Sequence, residues 1–89
     1  MKVKIELFGA ARDFSEQNLL ELDLEQKSTI KDIRKKIILY LDEKFNRNEK
    51  YKKIINSSAF CSEKNNIVSD NYKITNNEKI SIIPPIGGG

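Results

Sequence analysis

The segment Lys79-Ile80-Ser81-Ile82-Ile83-Pro84-Pro85-Ile86-Gly87-Gly88-Gly89 is the one from which the rest of the chain is best read. Ile80 and Ile82 alternate with Lys79, Ser81 and Ile83, the period-two pattern of a strand with one buried face. Proline lacks an amide donor and fixes φ, so Pro84-Pro85 ends strand pairing and stiffens the exit from the domain. The glycines that follow carry no Cβ and fit a channel too narrow for any side chain. Six extended residues reach roughly 20 Å at most, enough to put a terminal carboxylate inside another protein's active site. A glycine-rich end is also what a frayed terminus or an expression remnant gives. Such a remnant has no reason to be coupled to a rigid strand exit. The residues therefore point to the Gly89 carboxyl as the reactive group, threaded by Gly87 and Gly88, with residues 1–83 as a folded handle and residues 84–89 as a flexible tail.

Composition narrows the classes. An 89-residue chain with 38% hydrophobic and 33% charged residues has room for one soluble domain and a modest core. Met1-Lys2-Val3-Lys4 alternates instead of forming a signal-peptide core, and no apolar run approaches a membrane span. A cytoplasmic protein without a membrane partner is the expectation. Net charge is +3 with a pI near 9.0. The basic residues are spread among the acids without interleaved aromatics, which reads as a solvated surface, and no nucleic-acid partner is expected. With no His and one Cys, a protein-only zinc site, a Cys-His nucleophile pair and a disulfide framework are excluded. No metal site is expected, and side-chain catalysis is poorly supplied.

Working back along the chain, Val3, Ile5 and Leu7 alternate with Lys2, Lys4 and Glu6 as a half-buried strand, leaving Phe8 on the polar face. Gly9 to Asn18 reads as a loop, with Phe14 turned back on the core. Leu20, Leu22 and Leu24 make a second strand, antiparallel to the first. Thr29 with Asp32 three residues on forms a capping-box variant. Ile30, Ile33, Ile37, Leu41 and Phe45, widened by Ile38, predict an amphipathic helix of about 15 residues, with Asp32, Arg34, Lys35 and Lys36 outside. The basic stretch Asn46 to Lys53 begins as a polar loop; Ile54 to Cys61 is a weaker strand candidate, Ile67-Val68 a short edge strand and Asn76-Asn77 a turn. This order predicts an α+β domain, a mixed four- to five-stranded sheet packed on one main helix, with the first and last strands central.

With tail and element order together, the chain resembles the ubiquitin-like β-grasp sulfur carriers of the ThiS/MoaD family, and more specifically the small, MoaD-type subunit of molybdopterin synthase. The resemblance rests on the hydrophobic strand followed by Pro84-Pro85, two intervening residues and Gly88-Gly89. Leu7-Phe8-Gly9-Ala10-Ala11-Arg12-Asp13-Phe14 and Thr29-Ile30-Lys31-Asp32-Ile33 are similar to further family segments. The chain departs from the family at Asn77-Glu78, where a Gly-Asp turn is common, at Gly87, and in the long basic stretch after the helix. The resemblance implies that a ubiquitin-activating-type (MoeB-type) enzyme, using ATP and Mg, adenylates the Gly89 carboxylate. A persulfide sulfur donor then converts it to a thiocarboxylate, and the tail enters the large, MoaE-type subunit to sulfurate a cyclic pterin precursor for molybdenum cofactor. The chain would bind no cofactor and would not be catalytic alone.

Partner contacts are expected at Phe8 and Ile83, both on the sheet face away from the helix, with Pro84 and Pro85 at the exit and Arg12 as a charged contact beside them. Isolated surface hydrophobics are common, so the patch competes with a plain solvated face. Cys61 reads as a small packing residue. Other readings are a carrier for thiazole synthesis or tRNA thiolation, a ubiquitin-like protein modifier, and a small basic binding module with an inert tail.

Overall fold

Alternation in the first segment becomes β1 (Lys2–Leu7), whose Val3, Ile5 and Leu7 are buried while Lys2 and Lys4 stay in water. A 3₁₀ segment (Gly9–Phe14) follows, then β2 (Leu19–Asp23), α1 (Ile30–Lys44), α2 (Glu49–Ser57), β3 (Ala59–Cys61), β4 (Ile67–Val68) and β5 (Lys79–Ile83). The computed structural model describes residues 1–75 and 78–85. The expected Asn76-Asn77 turn and the Ile86 to Gly89 part of the tail lie outside the described residues.

The five strands form one mixed sheet in the order β2-β1-β5-β3-β4. β1 runs antiparallel to β2 and parallel to β5, with Ile5 opposite Ile80 and Leu7 opposite Ile82. β5 pairs antiparallel with β3 on its other side. The first and last strands are therefore neighbours in the interior of the sheet, as the sequence order predicts. Val3, Ile5, Leu7, Leu20, Leu22, Phe60, Ile80 and Ile82 meet Ile30, Ile33, Ile37 and Leu41 of α1, all of them buried. Removing each such side chain from water contributes about 1.5–3 kcal/mol.

The start of α1 is tied down from two directions. The Thr29 amide donates to Asp32 Oδ2 at 2.9 Å, and that bond holds the Asp32 carboxyl below its ordinary range. The Ile30 and Lys31 amides, orphan donors of a first helical turn, donate to the carbonyls of Tyr72 and Asp70. The β4–β5 connection thus serves as a cap for α1. Its far end is closed by Glu78, only 5% exposed. Burial opposes ionisation of that carboxyl, but bonds from Tyr72 Oη at 2.6 Å and from the Thr75 amide and hydroxyl at 3.0 Å outweigh it, and its pKa is lowered. The same bond to Glu78 is the main reason the Tyr72 phenol is pushed up to about 12.

Three expectations are corrected. The residues after α1 do not stay a loop leading into a long strand: Glu49–Ser57 is a second helix, and the strand behind it shrinks to Ala59–Cys61. Tyr51, Ile54, Ile55 and Ser58 repeat at helical spacing, and Asn48 Oδ1 caps the helix by accepting the Tyr51 amide at 3.2 Å. The adjacent Ile54-Ile55 pair imitates a strand in sequence. The 3₁₀ segment likewise orders most of the first predicted loop while burying Phe14 as expected.

Arg34 also does not lie outside. It is the i+4 neighbour of Ile30 and the i−4 neighbour of Ile38, so helical geometry places it within the apolar stripe. Its Nη1 donates to the Ile55 carbonyl at 2.6 Å, its Nε to Asp70 Oδ1 at 3.0 Å, and its guanidinium covers the Phe60 ring at 4.6 Å. One side chain thus joins α1, the last turns of α2, the β4–β5 connection and the sheet.

Two stability measurements check this account. Arg34→Ala is expected to cost about 2 kcal/mol in urea unfolding, because a buried carbonyl loses a charged donor and Phe60 loses its cover. Asp70→Asn, at a half-exposed position, should cost less than about 1 kcal/mol; equal costs would contradict the assignment. For Glu78, a folded pKa below its unfolded value means the stabilisation is complete above about pH 5.5 and is lost as pH falls through the folded pKa. The stability gap between native protein and Glu78→Gln should therefore narrow between about pH 5 and pH 3 in thermal unfolding.

Candidate functional site

The strand exit is built from the register of β1 and β5. Leu7 and Ile82 are partners and both face α1, so the next residue on each strand, Phe8 and Ile83, emerges on the opposite face. Both are exposed there, 38% and 41% respectively. The expected apolar pair is thus present, side by side at the end of the two interior strands. Ile83 is held from the other side by Ala59 of β3. β5 ends at Ile83, and Pro84 and Pro85 continue as half-buried, non-strand residues.

Gly9 turns the chain immediately above this exit. Its φ of +52° is left-handed, a region L side chains rarely adopt, and a Cβ placed on it would lie 3.6 Å from Pro84 Cγ. The turn sends the 3₁₀ segment over the edge of the core, where Ala11 and Phe14 are buried and Arg12 remains exposed. Phe14 is locked at the segment's far end. Its carbonyl accepts from Tyr40 Oη at 2.9 Å and Lys44 Nζ at 3.4 Å, and its ring meets the edge of Tyr51 at 5.2 Å. A continuous path of packed residues therefore runs from Pro84 through Gly9 to α1 and α2. The sequence gives a sign of Gly9 only as a break in alternation; its closeness to Pro84 follows from the parallel pairing.

Below the apolar pair the open sheet face is charged. Lys79 Nζ meets Glu6 Oε1 at 2.5 Å, which raises the Lys79 pKa, and Lys2 lies 3.8 Å from Glu21. Cys61 sits half-buried on β3 between Ser81 and Ile67. Among the described residues no group of three His, Cys, Asp or Glu side chains converges as a metal site would require, and no helix is long and apolar enough to cross a membrane. What the described residues offer at the exit is a shaped surface, not an acid–base pair. Gly87, Gly88 and Gly89, the residues expected to thread and react, lie outside the described residues.

An antiparallel hairpin, a helix laid across it and a last strand parallel to the first define the ubiquitin-like β-grasp fold. Solved structures bear this out. The chain is similar to a Pyrococcus furiosus protein assigned as molybdopterin converting factor, subunit 1, with TM-score 0.71 and 18% identity over 97% of this chain and 99% of that one. It is equally similar to the small archaeal modifier protein 1 of Haloferax volcanii in two crystal structures. One gives TM-score 0.72 and 10% identity over the whole of both chains; the other gives 0.69 and 9% over 96% of this chain and 98% of that one. At these identities the likeness is one of fold. No family model and no curated protein matches the sequence.

The exit geometry can be tested without a partner. Gly9→Ala should destabilise the domain by about 1 kcal/mol, the cost of a left-handed L residue. It should also shift amide resonances at Phe8 and Ile83 more than those of β4. Unchanged stability would remove Gly9 from the account.

Proposed function

We propose that this protein is a ubiquitin-like carrier that works through the carboxyl of Gly89, and specifically the sulfur-carrying small subunit of a molybdopterin synthase. The observation that carries the reading is the direct passage from an interior strand of a β-grasp sheet, through Pro84-Pro85, to Gly87-Gly88-Gly89. β5 is bonded on both sides, so the point from which the tail departs is fixed. A fixed departure point lowers the entropy lost when the tail is gripped and limits where its end can reach.

The chemistry belongs to partner enzymes. A MoeB-type enzyme with ATP and Mg would let the Gly89 carboxylate attack the α-phosphate, giving an acyl adenylate and releasing pyrophosphate. The terminal sulfur of a persulfide then attacks the acyl carbon and expels AMP. A second thiol cleaves the resulting acyl disulfide, leaving the thiocarboxylate on Gly89 and a disulfide on the donor. The thiocarboxylate sulfur is finally passed to a cyclic pterin precursor within the MoaE-type large subunit. Phe8 and Ile83 provide the apolar seat for these partners, with Arg12 and Pro84-Pro85 at its rim.

A second reading has its own support. The small archaeal modifier protein 1 structures match this chain as well as the converting-factor structure does. An adenylated Gly89 attacked by a lysine amine would give an isopeptide bond in place of a thiocarboxylate. Both readings share the activation step and differ in the nucleophile.

Intact mass after incubation with the adenylating enzyme, ATP, Mg and a persulfide donor separates them. A gain equal to one oxygen-to-sulfur exchange, placed on Gly89 by fragmentation and absent when Gly88-Gly89 is deleted, is the expected result. Lysine conjugates without that exchange would favour the modifier reading, and the absence of both products would overturn the proposal.

A further inference from the structure

Of the sixteen basic and thirteen acidic residues, four bases (Arg47, Lys50, Lys52, Lys53) and one acid (Glu49) fall between Asn46 and Ser57. The remaining twelve of each sign cancel, so the whole net charge of +3 is carried by this one segment. In sequence it reads as part of a scattered, solvated charge. Folding gathers it onto a capped helix whose inner side is anchored by Tyr51, Ile54 and Ile55 and whose outer side is exposed. Lys53 sits near the middle of that outer side, with Lys50 and Lys52 on its flanks and Arg47 just before the cap. Among the described residues none of the four makes an ion pair; the pairs present involve Lys2, Arg34, Lys79 and the first residue.

Location gives this charge a use. α2 packs on the far end of the 3₁₀ segment through Tyr51 and Phe14, and the near end of that segment lies beside Pro84, close enough that a Cβ on Gly9 would meet it. Six residues of 3₁₀ helix span about 12 Å. A partner surface of ordinary size covers about 800 Å² on each side, so a protein seated on Phe8 and Ile83 extends well past that distance. From these observations we propose that the exposed side of α2 is a docking surface for an acidic face of the adenylating enzyme, resting on the reading of this chain as a tail-activated carrier. The apolar pair holds the complex, while the α2 lysines and Arg47 steer encounter and orient the tail. A protein partner is favoured over RNA because α2 itself presents no exposed aromatic for a base to stack on; Tyr51 is turned inward onto Phe14 and Phe45.

The test titrates fluorescently labelled chain with the adenylating enzyme, comparing native protein with the triple variant Lys50→Glu, Lys52→Glu, Lys53→Glu. These positions are exposed on the first turns of a helix, where acids are tolerated, and circular dichroism confirms that the variant is folded. Affinity is expected to fall at least about tenfold at roughly 0.05 M salt, mainly through the association rate, and the gap should close near 0.5 M. A triple alanine variant should fall between the two. Equal affinities at low salt would overturn the docking surface. So would binding of total tRNA that the variant loses while enzyme affinity is unchanged. Because affinity is read separately from chemistry, a failure here leaves sulfur exchange at saturating enzyme intact. Conversely, a salt-sensitive affinity gap without sulfur exchange in either protein supports docking and removes the carrier chemistry.

Discussion

The parallel pairing of β1 with β5 is the constraint on which the rest depends. It places the last strand in the interior of the sheet, bonded to β1 on one side and to β3 on the other. Because parallel neighbours share a direction, both strands finish at the same end of the molecule, and Phe8 and Ile83 emerge together there. Had β5 formed an edge, the tail would leave from the least stable part of the sheet, where local opening costs little. An interior strand instead makes its departure as firm as the domain itself.

Arg34 and Glu78 show what this arrangement requires. The loop between β4 and β5 must return the chain to the middle of the sheet, and it has few apolar residues with which to pack. It is held by polar means: carbonyls that cap α1, a guanidinium that spans four elements, and a buried carboxylate fully engaged by Tyr72 and Thr75. Glu78 immediately precedes β5, so its hydrogen bonds fix where the strand begins, as Pro84 marks where it stops.

Most of the fold is legible in the sequence because alternation and helical spacing are strong signals when one face is buried. β1, β2, α1 and β5 all carry such patterns and stand where they are expected, as do the edge pair Ile67-Val68 and the burial of Phe14. α2 is less legible: its apolar residues are few, four of its first five residues are polar or charged, and a paired Ile54-Ile55 suits a strand as well as a helix. Arg34 is misplaced when residue chemistry is read ahead of geometry, since its position on the helix already lies inside. At the exit, Phe8 and Ile83 follow from alternation alone, while the role of Gly9 depends on the closeness of residues 75 positions apart. No periodicity can disclose that.

Structure and proposed chemistry meet at the strand exit: a firm, apolar-rimmed platform that precedes Gly87-Gly88-Gly89 in the sequence. Pyrophosphate exchange tests the central claim most directly, since it reports formation of the acyl adenylate before any choice between sulfur and lysine. With the adenylating enzyme, ATP, Mg and radiolabelled pyrophosphate, the native chain should drive label into ATP, and a chain capped as the amide at Gly89 should not. Equal exchange with the capped chain would contradict the claim that the working atom is the main-chain carboxyl of Gly89.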